Sequence, residues 1–132
     1  MRKTIIASVL VFFVGACLPS FAQKKIDGKI VKEVKEWRVE GSKKKLDHKT
    51  TYTNGRKTEE IEYTSLGEQK KRVTYGYNES GKCIEEKIYD EYNKLEKTTQ
   101  YEYGENGKKK SQKTILPNGK LKSYKEFEYV FE

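Results

Sequence analysis

The chain has 132 residues, of which 36% are charged and 34% hydrophobic, and its formal net charge is +8. This length allows one domain, and so much charge argues against a large aliphatic core. Ten tyrosines, five phenylalanines and one tryptophan argue against disorder, because each aromatic side chain buries roughly 150–250 Å² when it packs.

The first residues have the composition of an export signal. Arg2 and Lys3 form a basic start, and the apolar stretch 5–14 that follows is too short to cross a bilayer as a mature helix. The small residues Ser20 and Ala22 then occupy the −3 and −1 positions of a cleavage site. This pattern predicts cleavage after Ala22.

The predicted organisation is a signal peptide over residues 1–22 and one mature domain over 23–132, located in the periplasm or secreted. The alternative is a lipoprotein, because Val14 to Cys17 is similar to a bacterial lipobox, in which Cys17 would be acylated and would anchor the chain to a membrane. For Cys83 we expect a small residue on a half-buried strand, and the alternative is a nucleophile or an intermolecular bridge.

Basic residues are concentrated in runs, including 43–45, 70–72 and 108–110. Removal of Arg2 and Lys3 from the 28 basic residues leaves 26 against 20 acidic ones, a net charge of +6. An exported basic sheet predicts an anionic polysaccharide or an acidic envelope protein as partner, and nucleic acid is excluded outside the cell. The alternative is a solvated face on which Lys and Glu pair across strands and discourage edge association.

The mature chain begins with a turn signal at Asp27-Gly28. The segment 30–40 alternates imperfectly between apolar and polar residues, so it predicts a strand with a short amphipathic helix as the alternative. Asn54-Gly55 is the strongest hairpin signal and lies between two predicted strands, 42–53 and 56–66.

Turn residues recur at a regular spacing along the rest of the chain. Gaps of 14 and 12 positions alternate along the series Gly41, Gly55, Gly67, Gly81, Asn93, Gly107 and Gly119, so the repeating unit is a 26-residue hairpin. Such short connections allow only antiparallel pairing, because a parallel crossover needs a dozen residues or more. The sequence therefore predicts an all-β, up-and-down meander of about eight strands in an open twisted single sheet, with a closed eight-stranded barrel as the alternative.

Aromatic residues follow the same period. Three pairs succeed one another at intervals of 26 residues: Tyr75 and Tyr77, Tyr101 and Tyr103, and Phe127 and Tyr129. This spacing predicts rows of rings on one face, and we interpret these six residues as candidate binding residues, because tyrosine joins a flat apolar ring to a hydrogen-bonding hydroxyl. The alternative is that the rings pack as a core.

Ile84 and Ile88 are predicted to share a face opposite Tyr89, and the last strand is predicted to continue from Leu121 to Phe131.

Catalytic and metal-binding constellations are not indicated. His48 is the only histidine, and the acidic pairs Glu59-Glu60 and Glu85-Glu86 are adjacent, so that on a strand each pair points to opposite faces. Turns account for the glycines, so no phosphate-binding loop is indicated. We expect no enzymatic activity, no metal and no cofactor.

The segment Tyr89 to Leu95, which reads YDEYNKL, resembles the core of the YD repeats of RHS-type exported bacterial proteins. Tyr77 to Lys82 and Tyr103 to Lys108 are weaker matches. The Tyr and Asn-Gly-Lys elements of the chain also resemble MORN-like repeats, and the resemblance covers roughly Tyr52 to Phe131. The resemblance implies a small secreted or surface-attached protein built from β-hairpin repeats. We expect a non-catalytic binding module for a glycan or a partner protein at the cell envelope. The alternative is a structural protein whose aromatic face packs on itself or on another copy.

Overall fold

The computed structural model describes residues 24–132, which form strands and turns without helix. In this part of the chain the strands are β1 (Lys25–Ile26), β2 (Lys29–Ile30), β3 (Glu33–Glu40), β4 (Lys43–Thr53), β5 (Arg56–Tyr63), β6 (Gln69–Tyr77), β7 (Cys83–Tyr89), β8 (Leu95–Tyr103), β9 (Lys109–Ile115) and β10 (Leu121–Glu126). The predicted segment 1–22 and Cys17 lie outside the described residues.

Strands β3 to β10 form one antiparallel sheet in which each strand pairs with its neighbours in sequence. The predicted eight-stranded open meander is therefore confirmed, and the alternative closed barrel does not form. Strands β1 and β2 make a separate two-stranded hairpin, which is attached to the β4–β5 turn through a bond from the Lys24 N–H to the Gly55 carbonyl, 2.7 Å. No helix in residues 24–132 is long and apolar enough to span a membrane.

Five turns share one geometry and carry the predicted spacing. In each, the fourth residue has a positive φ, and its N–H donates to the carbonyl of the first at 2.9–3.0 Å; these fourth residues are Gly67, Gly81, Asn93, Gly107 and Gly119. Asn93 replaces glycine at φ 62°, which asparagine tolerates better than most residues. The repeating turns therefore set the 26-residue hairpin that the sequence predicts.

A β-bulge lies near the start of each strand from β5 to β10. The pairing of β6 with β7 aligns Gly76 with Glu85 and Tyr77 with Cys83, so Ile84 is passed over. One repeat earlier Thr58 is passed over in the same way, and one repeat later Lys110 is. The bulges thus recur with the period of the turns.

The bulge in β7 changes which residues face the core. Since a bulge shifts the alternation by one residue, Cys83 shares a face with Tyr77. The prediction that Ile84 shares a face with Ile88 is therefore wrong: Ile88 is buried, whereas Ile84 is 37% exposed.

One side of the sheet, the tyrosine face, carries the core. Five hydrophobic residues are buried in it, namely Val73, Tyr75, Cys83, Ile88 and Tyr101, and Tyr77 and Tyr103 pack against them. The core is small and mostly aromatic, as the composition indicates. Cys83 is fully buried, and its sulfur lies 3.7 Å from the Glu85 carbonyl oxygen.

The two ends of the sheet differ from the sequence-based expectations. The segment 33–40 is strand β3, so the helical alternative is wrong. Strand β10 ends at Glu126 instead of continuing to Phe131, and all six of its residues are exposed. The Phe127 N–H still donates to the Lys110 carbonyl at 3.1 Å. The chain thus stays attached to β9 just beyond the last strand.

Candidate binding site

Three tyrosine hydroxyls make the same bond in successive repeats. Each donates to the backbone carbonyl twenty residues earlier, at 2.6 Å for Tyr77 to Lys57, 2.5 Å for Tyr103 to Cys83 and 2.8 Å for Tyr129 to Lys109. Donor and acceptor both advance by one repeat from each bond to the next. The Tyr77 and Tyr103 bonds each tie the end of one strand to the bulged start of the neighbouring strand before it, and the Tyr129 bond ties the segment beyond β10 to the start of β9 in the same way. These three rings therefore have a structural role.

Two further tyrosines bond to buried carboxyl groups. The Tyr75 hydroxyl donates to Glu60 Oε2 at 3.0 Å, and the Tyr101 hydroxyl donates to Glu86 Oε1 at 3.2 Å. Glu86 is 1% exposed. Burial raises the pKa of both phenols well above the usual range, and the neighbouring carboxylates raise it further. Both tyrosines therefore remain neutral hydrogen-bond donors over the physiological pH range.

Basic side chains lie over the rings of the tyrosine face. The ammonium groups of Lys57, Lys109 and Lys82 stand 4.8, 4.4 and 4.9 Å from the ring centres of Tyr75, Tyr101 and Tyr103, respectively. Such contacts combine cation–π attraction with cover from the aliphatic part of each side chain. The lysines that the sequence suggests as a solvated face thus help to bury the core of a single-layer sheet.

The charge partner of each lysine differs between repeats. Lys57 pairs with Glu60 three residues on, at 2.5 Å. In the next repeat the lysine position is occupied by Cys83, and Lys109 from strand β9 lies near Glu86 instead. Burial lowers the pKa of the Lys109 ammonium, whereas the Glu86 carboxylate acts in the opposite direction. Lys109 therefore extends toward the interior of the sheet.

Basic residues also lie against the turns of the following repeat. A Cβ atom added to Gly81 would come within 2.5 Å of Arg56 Nη2, and one added to Gly107 would come within 2.6 Å of Lys82 Nζ. The Lys82 ammonium donates to the Gly107 carbonyl oxygen. Glycine suits both turns because it adopts a positive φ without strain, and a Cβ atom there would oblige the end of the basic side chain to move.

The structure divides the six predicted binding residues into two groups. Tyr75 and Tyr101 are 7% and 5% exposed, and Tyr77 and Tyr103 are partly buried against them. Phe127 and Tyr129 are 38% and 41% exposed. The rings therefore do not form one continuous accessible row, and the accessible pair lies beside the last strands.

An open pocket of about 630 Å³ adjoins this accessible pair. We call it the lysine pocket, and its main lining residues are Tyr103, Lys108, Lys109, Lys110, Phe127 and Tyr129. Lys108 and Lys110 are exposed and make no side-chain ion pair with other described residues. The basic run 108–110 and the ring pair were both visible in the sequence, but their meeting in one pocket was not predicted.

A second depression of about 320 Å³ lies on the other side of the sheet, which we call the opposite face. Its lining includes Ile84, Glu85, Gln100, Glu102, Lys113 and Tyr124, and we call it the polar groove. This groove is not predicted from the sequence. No motif marks these residues, because strand register and the bulge at Ile84 bring them together.

The described residues hold no group of three or more His, Cys, Asp or Glu side chains arranged to bind a metal ion. His48 lies on β4 with Nδ1 2.9 Å from Asp47 Oδ2.

Comparisons with known proteins are sparse. No family model matches the chain, and no curated protein matches it. Among solved structures, a chain of the GtfA/B complex bound to UDP and GlcNAc is similar over 88% of this chain and 25% of its own length, with 12% identity and a TM-score of 0.31. The described chain thus spans about a quarter of that chain, and so low a score assigns neither fold nor function.

Proposed function

We propose that this protein is an exported, non-catalytic binding module that holds an anionic polysaccharide in the lysine pocket. The observation that carries the proposal is the exposure of Phe127 and Tyr129 beside the run Lys108 to Lys110. Sugar rings present flat apolar faces that pack on aromatic side chains, and lysine ammonium groups attract carboxylate or sulfate substituents. The predicted N-terminal signal and the resemblance to YD repeats support a location at the cell envelope.

Burial is what distinguishes this pocket from the rest of the tyrosine face. Tyr75 and Tyr101 bond to carboxyl groups and lie beneath lysines, so a ligand could reach them only by displacing these contacts. Phe127 has no hydroxyl group and is more than a third exposed. The proposed site is therefore limited to the C-terminal pair of the six predicted residues and their basic neighbours.

Self-assembly is the second candidate, and it is supported by the fully exposed edge strand β10. Edge strands of this kind can pair with a second copy. The charged side chains of Lys122 and Lys125 on β10 disfavour such pairing. We therefore prefer the binding function.

The test uses two polyanions, polygalacturonate for carboxylate and heparin for sulfate, titrated into the mature protein at low and moderate salt. Substitution of Lys108→Gln together with Lys110→Gln should weaken binding at least tenfold, and Phe127→Ala should do the same. Matched controls are Lys94→Gln with Lys120→Gln, which removes equal charge at two exposed turns, and Tyr92→Ala, which removes a ring that is 74% exposed.

Equal losses in the pocket and control variants would mean that net charge alone holds the polyanion, and the proposed pocket would be rejected. Failure of both polyanions to bind the unsubstituted protein at low salt would reject the function itself. A solution mass of two or more chains that falls to one chain after Ser123→Pro, a change on the exposed edge strand, would favour the assembly role instead.

A further inference from the structure

We propose that the polar groove on the opposite face is a second binding site, specific for a neutral oligosaccharide. It lies across strands β7 to β10 and shares no described side chain with the lysine pocket. Its volume of about 320 Å³ is at the lower end of the range for small-ligand sites. The inference is independent of the function proposed above.

The bulge in β7 supplies an apolar surface at this site. Because Ile84 is passed over in the pairing of β6 with β7, its side chain lines the groove together with the next residue, Glu85, rather than the core. Ile84 is 37% exposed, and Tyr124 on β10 is 53% exposed. One aliphatic and one aromatic side chain thus border a polar surface, which suits the mixed apolar and hydroxyl surface of a sugar.

Strand register places four side chains in one line across the sheet. Glu85 pairs with Gln100, Gln100 pairs with Lys113, and Lys113 pairs with Tyr124. Neighbouring strands lie roughly 4.7–4.9 Å apart, so this line extends over about 14 Å and presents one polar group per strand. An extended oligosaccharide of about three rings presents hydroxyl groups at a comparable spacing.

The hydrogen-bonding state of the lining favours a ligand with hydroxyl groups. Three of the lining side chains already have partners within the protein. Glu85 is 3.5 Å from Lys87, Glu102 accepts a bond from Ser111 at 3.3 Å, and Tyr124 donates to Glu126 at 3.1 Å. The central Gln100 and Lys113 make no side-chain hydrogen bond or ion pair with other described residues. Their amide and ammonium groups can therefore donate to, and in the case of the amide accept from, sugar hydroxyls.

Charge separates this site from the lysine pocket. The lining carries the carboxylates of Glu85 and Glu102 and the ammonium group of Lys113, and Lys87 beside the groove pairs with Glu85, so no excess of positive charge is present to attract a polyanion. A neutral ligand fits this balance. Its binding should depend little on salt, because no counterions are released.

The experiment titrates cellotriose, chitotriose and maltotriose into the mature protein in 0.5 M NaCl and follows backbone and side-chain amide resonances. We expect at least one trisaccharide to shift the Gln100 side-chain amide and the β10 resonances. Tyr124→Ala and Gln100→Ala should each weaken that binding at least tenfold, and Tyr124→Phe should retain most of it because the ring remains.

Three controls keep the test specific. Tyr92→Ala removes an exposed ring elsewhere, Gln112→Ala removes an amide from the tyrosine face of β9, and Lys108→Gln with Lys110→Gln disables the lysine pocket. All three should bind the trisaccharide as the unsubstituted protein does. Absence of shifts with all three sugars, unchanged affinity in both groove variants, or loss of affinity in the lysine-pocket variant would overturn the proposal. Unfolding curves for each variant verify that it is folded.

Discussion

Two pairs of side chains hold equivalent positions in successive repeats of the sheet but differ in burial. In the inner repeat Glu86 accepts a bond from Tyr101, and both are buried. In the repeat that follows, Gln112 and Phe127 hold the same positions, and Phe127 is 38% exposed. At these two positions the repeats differ only in the exchange of a carboxylate oxygen for an amide nitrogen and in the loss of one hydroxyl group. The structural difference is larger than this chemistry suggests.

The direction of Lys109 explains the contrast. By repeat position Lys109 corresponds to Lys57, which lies over Tyr75 and pairs with Glu60. The equivalent arrangement would place Lys109 over Phe127, but Gln112 has no charge to hold it there. Lys109 lies over Tyr101 instead, where the buried Glu86 carboxylate attracts it. The neutral Gln112, together with the position of Phe127 beyond the last strand, thus leaves a ring of that repeat accessible to a ligand.

The largest expected effect comes from removing the inner carboxyl group. Glu86→Ala should lower the free energy of unfolding by about 3 kcal/mol, because it leaves the Tyr101 hydroxyl and the Lys109 ammonium without their buried partner. Gln112→Ala, at the same position of the next repeat, should cost less than about 1 kcal/mol. Urea unfolding measures both. Equal losses would show that the two repeats are not distinguished by this carboxyl group.

A double substitution sharpens the same comparison. Glu86→Gln combined with Tyr101→Phe copies the pair that the protein itself has at Gln112 and Phe127. Because it removes donor and acceptor together, it should be more stable than Glu86→Ala. A double variant no more stable than Glu86→Ala would indicate that Glu86 acts mainly through partners other than Tyr101.

An intermediate effect is expected at alkaline pH. The pKa of Tyr75 and of Tyr101 is raised in the folded protein, chiefly by burial. Their contribution to stability is therefore fully present below the unfolded pKa of about 10 and is lost as the pH rises above it, by about 1.4 kcal/mol per tyrosine per pH unit. Unfolding curves at pH 9 and 11 measure the loss. The Tyr101→Phe variant makes the inner repeat resemble the outer one. Its loss of stability between pH 9 and 11 should be smaller by the contribution of one tyrosine. An unchanged loss would show that Tyr101 does not contribute to this pH dependence.

The smallest effect tests the redirection of the lysine. Gln112→Glu restores the Lys57–Glu60 arrangement at Lys109 and should draw that side chain toward Phe127. We expect stability to change by less than about 1 kcal/mol and polyanion affinity to fall several-fold, because Phe127 becomes covered and a negative charge is added. Gln100→Glu, on the opposite face of the neighbouring strand, is the charge-matched control. An equal fall in affinity with the control would assign the effect to net charge alone.

Much of the fold could be predicted because its signals are local. A positive φ at Gly107 or Asn93 depends on the residue itself, and the length between such turns decides strand length and antiparallel pairing. The spacing of the aromatic pairs also predicted correctly that Tyr75 and Tyr101 share a face. The face of Ile84 was predicted wrongly, since a bulge depends on how two strands align and leaves no mark in the residues themselves.

The candidate sites were predicted only in part for the same reason. The sequence indicated the rings and the lysine runs as separate features, but exposure depends on which side chain lies over which ring. Gln100 and Lys113 have no sequence signal at all, because they are ordinary polar strand residues until register aligns them. The relation to YD or MORN-like repeats, the export signal and the absence of catalysis remain predictions.

The sequence by itself determined the all-β class, the 26-residue hairpin and the side of the sheet on which the rings collect, because turn conformation and strand alternation act over only a few residues. The tertiary structure alone decided that Glu86 is buried, that Lys109 lies over Tyr101 and that Phe127 and Tyr129 are accessible. These outcomes depend on charges and rings brought together from strands many residues apart, where competition for one buried carboxyl group directs a long, flexible side chain.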